Sequence, residues 1–149
     1  MKTKLINSDG QRTFAVVLDT DDDVVGCLRD FAMREGIEAA QITAIGALRR
    51  AVLGYFDWEK KDYRRIPVDQ QVEVVSLIGD VALGPDRRPS LHIHAVLGRS
   101  DGIALGGHLL EGRVRPTLEV ILIESPAHLQ RQTDEETGLA LIRLETAGA

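Results

Sequence analysis

Residues 90–111, SLHIHAVLGRSDGIALGGHLLE, hold three of the four histidines in the chain, His92, His94 and His108, and their reading decides the fold around them. Residues 91–97 alternate and include β-branched side chains; residues 103–110 are apolar and rich in glycine; Ser100-Asp101-Gly102 between them is a turn signal. The stretch therefore reads as a β-hairpin. Side chains two apart on a strand share a face, so His92 and His94 point the same way. The loop length then decides the third histidine. A two-residue loop, 101–102, sets Ser100 against Ile103 and His94 against Leu109, and leaves His108 on the opposite face. A three-residue loop, 100–102, sets Arg99 against Ile103 and His94 directly against His108. Gly102 suits the left-handed position that ends such a loop. A bulge at Gly106-Gly107 is a second way to bring His108 into line.

Opposed Cβ atoms in a strand pair lie about 4.5–5.5 Å apart, close enough for two imidazoles to reach one ion. Neutral imidazole suits zinc, copper, iron or nickel, and zinc is the divalent metal expected here. Three protein ligands plus water describe an open site, whereas a closed structural site has four. Glu73 and Glu111 are the candidates for a fourth ligand, an outer hydrogen-bond acceptor, or a general base. The competing reading is three strand histidines that are merely hydrogen-bonded on a half-buried face.

The 149 residues fit one domain, 1–149, and 44% hydrophobic with 28% charged residues is ordinary for a globular chain. No apolar run reaches membrane-span length and the N-terminus lacks a charged-then-apolar signal pattern, so the expected location is cytoplasmic, with no membrane partner. Cys27 is the only cysteine, which excludes an intrachain disulfide and a Cys-rich zinc site and leaves it as a small core residue. A net charge of −5 argues against broad nucleic-acid affinity.

Residues 13–18 read as a strand. The acidic run 19–23 lacks the glycine and distal glutamate of a calcium loop; Thr20 or Asp21 is expected to cap a helix instead. Val24, Cys27, Leu28 and Phe31 then make one apolar stripe and Gly36 a stop, giving an amphipathic helix over about residues 22–35. Residues 39–45 and 47–58 read as two strands parted at Gly46, with Trp58 packing at a rim or stacking a ligand. Residues 63–68 form a short strand that Pro67 places at an edge. Residues 71–83 form a long strand with a bend at Gly79, residues 84–89 a loop, residues 117–124 a central strand, residues 134–136 an acidic loop and residues 138–144 a last strand. His128 is read as a surface residue outside the cluster. Arg49-Arg50, Lys60-Lys61, Arg64-Arg65 and Arg87-Arg88 are a solvated surface or a patch for an anion. Many strands with one main helix imply an α+β fold with a largely antiparallel sheet.

The succession Ile45-Gly46-Ala47-Leu48, Glu73-Val74-Val75-Ser76-Leu77-Ile78-Gly79, Leu91-His92-Ile93-His94 and Gly106-Gly107-His108-Leu109-Leu110-Glu111-Gly112 resembles the PPC ("plants and prokaryotes conserved") domain family over nearly the whole chain. The resemblance implies a compact α+β domain assembling as a homotrimer, with a metal site at the positions matched by His92, His94 and His108. In plants the domain is joined to Arg-Gly-Arg-Pro hooks that enter the minor groove of DNA. The nearest match here, Arg87-Arg88-Pro89, lacks the glycine, so the sequence resembles the stand-alone prokaryotic type. That type carries a DNA-binding label by analogy. Three functions follow: a trimeric regulatory or interaction module associated with DNA; a metal-dependent hydrolase or lyase acting on a small anionic substrate; and a small-molecule-binding protein without metal.

Overall fold

The computed structural model describes residues 1–7, 10–125 and 129–143. In chain order the elements are β1 (Lys2–Asn7), β2 (Thr13–Asp19), α1 (Val24–Glu35), β3 (Ala39–Asp57), β4 (Asp62–Val68), β5 (Val72–Leu83), β6 (Pro89–Gly98), β7 (Ala104–Glu124), β8 (Gln130–Thr133) and β9 (Ala140–Arg143). All strands belong to one sheet in the order β1-β2-β7-β3-β5-β8-β9, with β4 added on β3 and β6 paired to both β5 and β7. Among the described residues only the β5–β8 bridge is parallel.

The α+β expectation is corrected here: the fold is mainly β. A helix of 12 residues serves nine strands, so it plugs the sheet and does not form a layer of its own. Helix α1 is also shorter at its start than expected. Asp21 is left-handed (φ 70°) in the preceding turn and cannot cap. Asp23 caps instead, its Oδ1 accepting from the Gly26 N–H at 2.7 Å, worth about 1 kcal/mol. Gly36 ends the helix in the left-handed conformation. The stripe Val24, Leu28, Phe31 and Ala32 is buried, with Phe31 edge-on to Phe14 of β2 at 5.3 Å. Cys27 is half-buried at the margin of this core.

Two expected strand breaks are absent. β3 runs through Gly46, where the register with β5 and with β7 shifts and φ reaches 150°. A Cβ at Gly46 would stand 2.8 Å from the Leu118 Cα, so the close crossing of β3 and β7 requires glycine there. β7 likewise runs through Pro116, because the proline falls where the β3–β7 ladder skips from Val114 to Leu118 and no N–H is demanded of it. β1 and β8 had no counterpart in the sequence reading. Pro67 does lie on an edge, since β4 pairs only with β3. Trp58 follows β3, exposed, with an edge contact to Phe56. His128 and Leu144 lie outside the described residues.

Because β7 pairs with β3 along one flank and with β6 along the other, strands β3, β5, β6 and β7 close into a ring. Ile42, Leu77, Ile93, Leu97 and Leu109 fill its inside. The alternation then turns His92, His94 and Val96 outward on β6, where Ile78 of β5 faces His94 across the ladder.

Candidate metal centre

The β6–β7 hairpin has the three-residue loop. Arg99 N–H donates to the Ile103 carbonyl at 2.9 Å, Gly102 N–H donates to the Arg99 carbonyl at 3.0 Å, and Gly102 is left-handed at φ 79°. The ladder from Gly98↔Ala104 to His94↔His108 is unbroken, so no bulge at Gly106-Gly107 is needed. His94 and His108 therefore face each other across the strand pair, and His92 stands beside His94.

One ligand atom from each of His92, His94 and His108 lies within 4.8 Å of the other two. The Nε2 atoms of His92 and His94 are 3.0 Å apart. Two nitrogens on a tetrahedral zinc ion, each about 2.0–2.1 Å from it, stand about 3.3–3.4 Å apart, so this pair has nearly that spacing already. The three ring centroids are 4.9–5.4 Å from one another. His108 Nδ1 is buried without a hydrogen-bond partner. A buried nitrogen left bare is costly in a purely structural histidine, and an ion or ligand taken up by that nitrogen itself would remove the cost. Burial, reinforced by the neighbouring imidazoles and Arg131, holds the His108 pKa down to about 4. Burial also lowers His92, with His94 and Arg131 adding and Asp80 opposing. Both rings are thus neutral near pH 7, the form that ligates metal. The donor set fits a divalent ion of the zinc type.

The two glutamates lie apart from this group. Glu73 faces Gly98, five residues along β5 from the partner of His94, about 16 Å away by strand rise. Glu111 faces Val52 and is ion-paired with Arg65. Three residues absent from the sequence reading surround the histidines instead. Asp80 is the cross-strand partner of His92. Arg131, 3% exposed, reaches in from β8 to pair with Asp80. The Tyr63 ring packs on His108 at 4.8 Å, tilted 33°. Asp80 carried a legible signal, as the one carboxylate in the apolar end of β5; its place opposite His92 depends on a β5–β6 register that the sequence leaves open. Among the described residues, no helix is long and apolar enough to cross a membrane.

Comparison with known proteins bears on this geometry. The family model of the Plants and Prokaryotes Conserved (PCC) domain matches residues 6–126. The chain is similar to a solved metal-containing protein from Archaeoglobus fulgidus, with 38% identity, a TM-score of 0.82, and coverage of 96% of this chain and 97% of that one. It is similar to a plant- and prokaryote-conserved protein from Pyrococcus horikoshii, with 35% identity, a TM-score of 0.84, and coverage of 97% and 96%. It also resembles a Ralstonia eutropha protein described provisionally as DNA-binding, with 27% identity, a TM-score of 0.81, and coverage of 88% and 90%. No curated protein matches the chain.

Proposed function

This chain belongs to the Plants and Prokaryotes Conserved domain family, and from that premise we propose that it is a metal-binding module of the stand-alone type, working as a homotrimer in regulation or interaction. His92, His94 and His108 hold the divalent ion, zinc first. The observation that carries the reading is the meeting of three imidazoles, one with a buried bare nitrogen, on the outer face of a closed ring of strands. The metal content of the Archaeoglobus relative supports it. Bound there, the ion would supply Lewis acidity and a position open to solvent; Tyr63 packs one ring in place, and Asp80 and Arg131 flank another.

The trimer is supported by the apolar outer face that adjoins the site. Ile45, Val75 and Ile78 are each about 60% exposed, and Val96 and Ile121 lie on the same side. An exposed patch of this kind marks an interaction surface. A role with DNA rests on the provisional description of the Ralstonia relative; a cytoplasmic location belongs to the same proposal.

An ion held by only three protein ligands would keep a position for water, and on that ground a second reading is a metal-dependent hydrolase or lyase on a small anionic substrate. In that reading the general base is not assigned, because Glu73 and Glu111 stand away from the histidines. The deciding experiment is elemental analysis of protein purified without added metal, with zinc titration of the stripped protein and a gel shift on duplex DNA at physiological salt. One ion per chain and weak DNA binding are expected. Failure to take up zinc would reject the metal reading, and tight sequence-selective retention of DNA would show that the arginine pairs carry more than is proposed.

A further inference from the structure

Arg49 and Arg50 are adjacent on β3, and neighbouring residues of a regular strand point to opposite faces. Here both are exposed, between buried Leu48 and buried Ala51. The cause is a bulge: Leu48 pairs with Val114 and Arg50 with Arg113, so Arg49 is the extra residue. The bulge turns two guanidiniums outward together and sets Arg50 directly opposite Arg113. Like charges in that arrangement repel, at a Cβ separation of about 4.5–5.5 Å.

The three arginines and Asp21 line a recess of about 440 Å³, within the range of small-molecule sites. Asp21 answers part of the charge: its Oδ1 accepts from Arg49 Nη1 at 2.6 Å and its carbonyl accepts from Arg113 Nη1 at 3.2 Å. Asp23 approaches Arg113 Nη2 at 3.7 Å. Arg50 has no ion-pair or hydrogen-bond partner among the described residues. Three guanidiniums stand against Asp21 in the recess and Asp23 at its margin, which leaves one positive charge in excess. The adjoining recess shares Arg50 and Arg113 and sets Asp23, Asp69 and Glu111 beside them, the last held by Arg65, so the Arg49 side is the one an anion would enter from.

We propose that Arg49, Arg50 and Arg113 form a binding site for a phosphoryl dianion, distinct from the histidine cluster and independent of its metal. Planar guanidinium forks bind phosphate oxygens in pairs, and a phosphoryl group between them supplies the partner that Arg50 lacks while removing the Arg50–Arg113 repulsion. The phosphoryl group belongs either to a small phosphorylated molecule or to a nucleic-acid backbone, which present the same chemistry.

The test uses the full chain, sodium pyrophosphate as the small probe and a short DNA duplex as the other. Pyrophosphate at about 100 times its Kd should raise the Tm of the wild type by about 5–10 °C. Arg50→Gln and Arg113→Gln should weaken its binding about 10- to 100-fold and lose most of that rise. Pyrophosphate stabilises any protein slightly by exclusion from its surface, so the difference between wild type and variants is the readout. Labelling of the wild type with the arginine reagent phenylglyoxal, located by mass spectrometry, does not depend on the variants folding. Protection of Arg50 and Arg113 by pyrophosphate assigns the site to a small molecule, and protection by the duplex alone assigns it to a nucleic-acid backbone. Equal labelling with and without both probes, or equal Tm rises in wild type and variants, overturns the proposal.

Discussion

Replacing Gly79 by alanine tests whether the close approach of β5 to β6 sets the position of His92. Gly79 pairs with Ile93, and a Cβ added there would stand 2.9 Å from the Ile93 Cα and nearer still to the His92 carbonyl oxygen. Carbon atoms rest at about 3.5–4.0 Å, so β6 must move outward by about 0.6–1 Å. Overpacking of that kind costs about 1–3 kcal/mol, and the stiffer unfolded chain returns about 0.4–1 kcal/mol. A net loss of about 1–2 kcal/mol lowers the Tm of a chain this long by about 2–8 °C. The displacement also exceeds the roughly 0.2 Å that metal–ligand distances tolerate, so metal content should fall with it. Gly106 is the internal control: a Cβ there finds its nearest neighbour, the Ala95 carbonyl oxygen, at an ordinary 3.7 Å. Calorimetry with metal analysis on Gly79→Ala, Gly106→Ala and wild type decides the matter. If Gly79→Ala melts within about 1 °C of wild type with full metal content, the backbone contact does not fix His92 and the reasoning fails.

His94→Ala should lower metal affinity at least about 100-fold, since loss of even an outer-shell partner costs about 10- to 100-fold, while the far-ultraviolet circular dichroism stays unchanged; undiminished metal on elemental analysis would reject the site. His108 has a folded pKa of about 4 against an ordinary 6.5. On acidification the unfolded chain takes up that proton first, so the stability is fully present above about pH 6.5 and is lost as pH falls towards 4. Metal-free wild type should therefore lose more Tm than His108→Gln between about pH 7 and pH 5; parallel curves would contradict it. Light scattering should give three times the chain mass of 16.3 kDa for wild type and a smaller species for Ile78→Asp, which puts a charge in the apolar face beside His94; a monomeric wild type would end the trimer reading.

The hairpin was the legible part of the sequence. Ser100-Asp101-Gly102 offered two registers, and only one of them brought His108 to the face of His92 and His94. Helix α1 was legible as well, although in a run of five consecutive capping residues, 19–23, the sequence could not single out Asp23. What stayed hidden depended on contacts between distant segments. Gly46 and Pro116 look like strand ends in isolation; each is tolerated within a strand because the other long strand is offset at that point. The α+β expectation counted one helix as a layer, where strand pairing across the ring supplies most of the enclosure. Arg131 gave no sign at all, since nothing local ties a short polar strand to Asp80, 51 residues earlier.

The ring of β3, β5, β6 and β7 also governs how copies of this protein can meet. Over their paired stretches the main-chain donors and acceptors of these strands are engaged by one another, and only residues 89–93 of β6, which pair with β5 alone, keep a free edge among the described residues of β6. Beside them, β4 carries Pro67 with Arg64 and Arg65 on its rim. Contact across the histidine face is then written mostly in side chains, with the short free edge of β6 beside His92 as the one main-chain exception. One substitution such as Ile78→Asp can erase it without disturbing the scaffold, and a change of surface residues can redirect the partner while the histidine hairpin stays as it is.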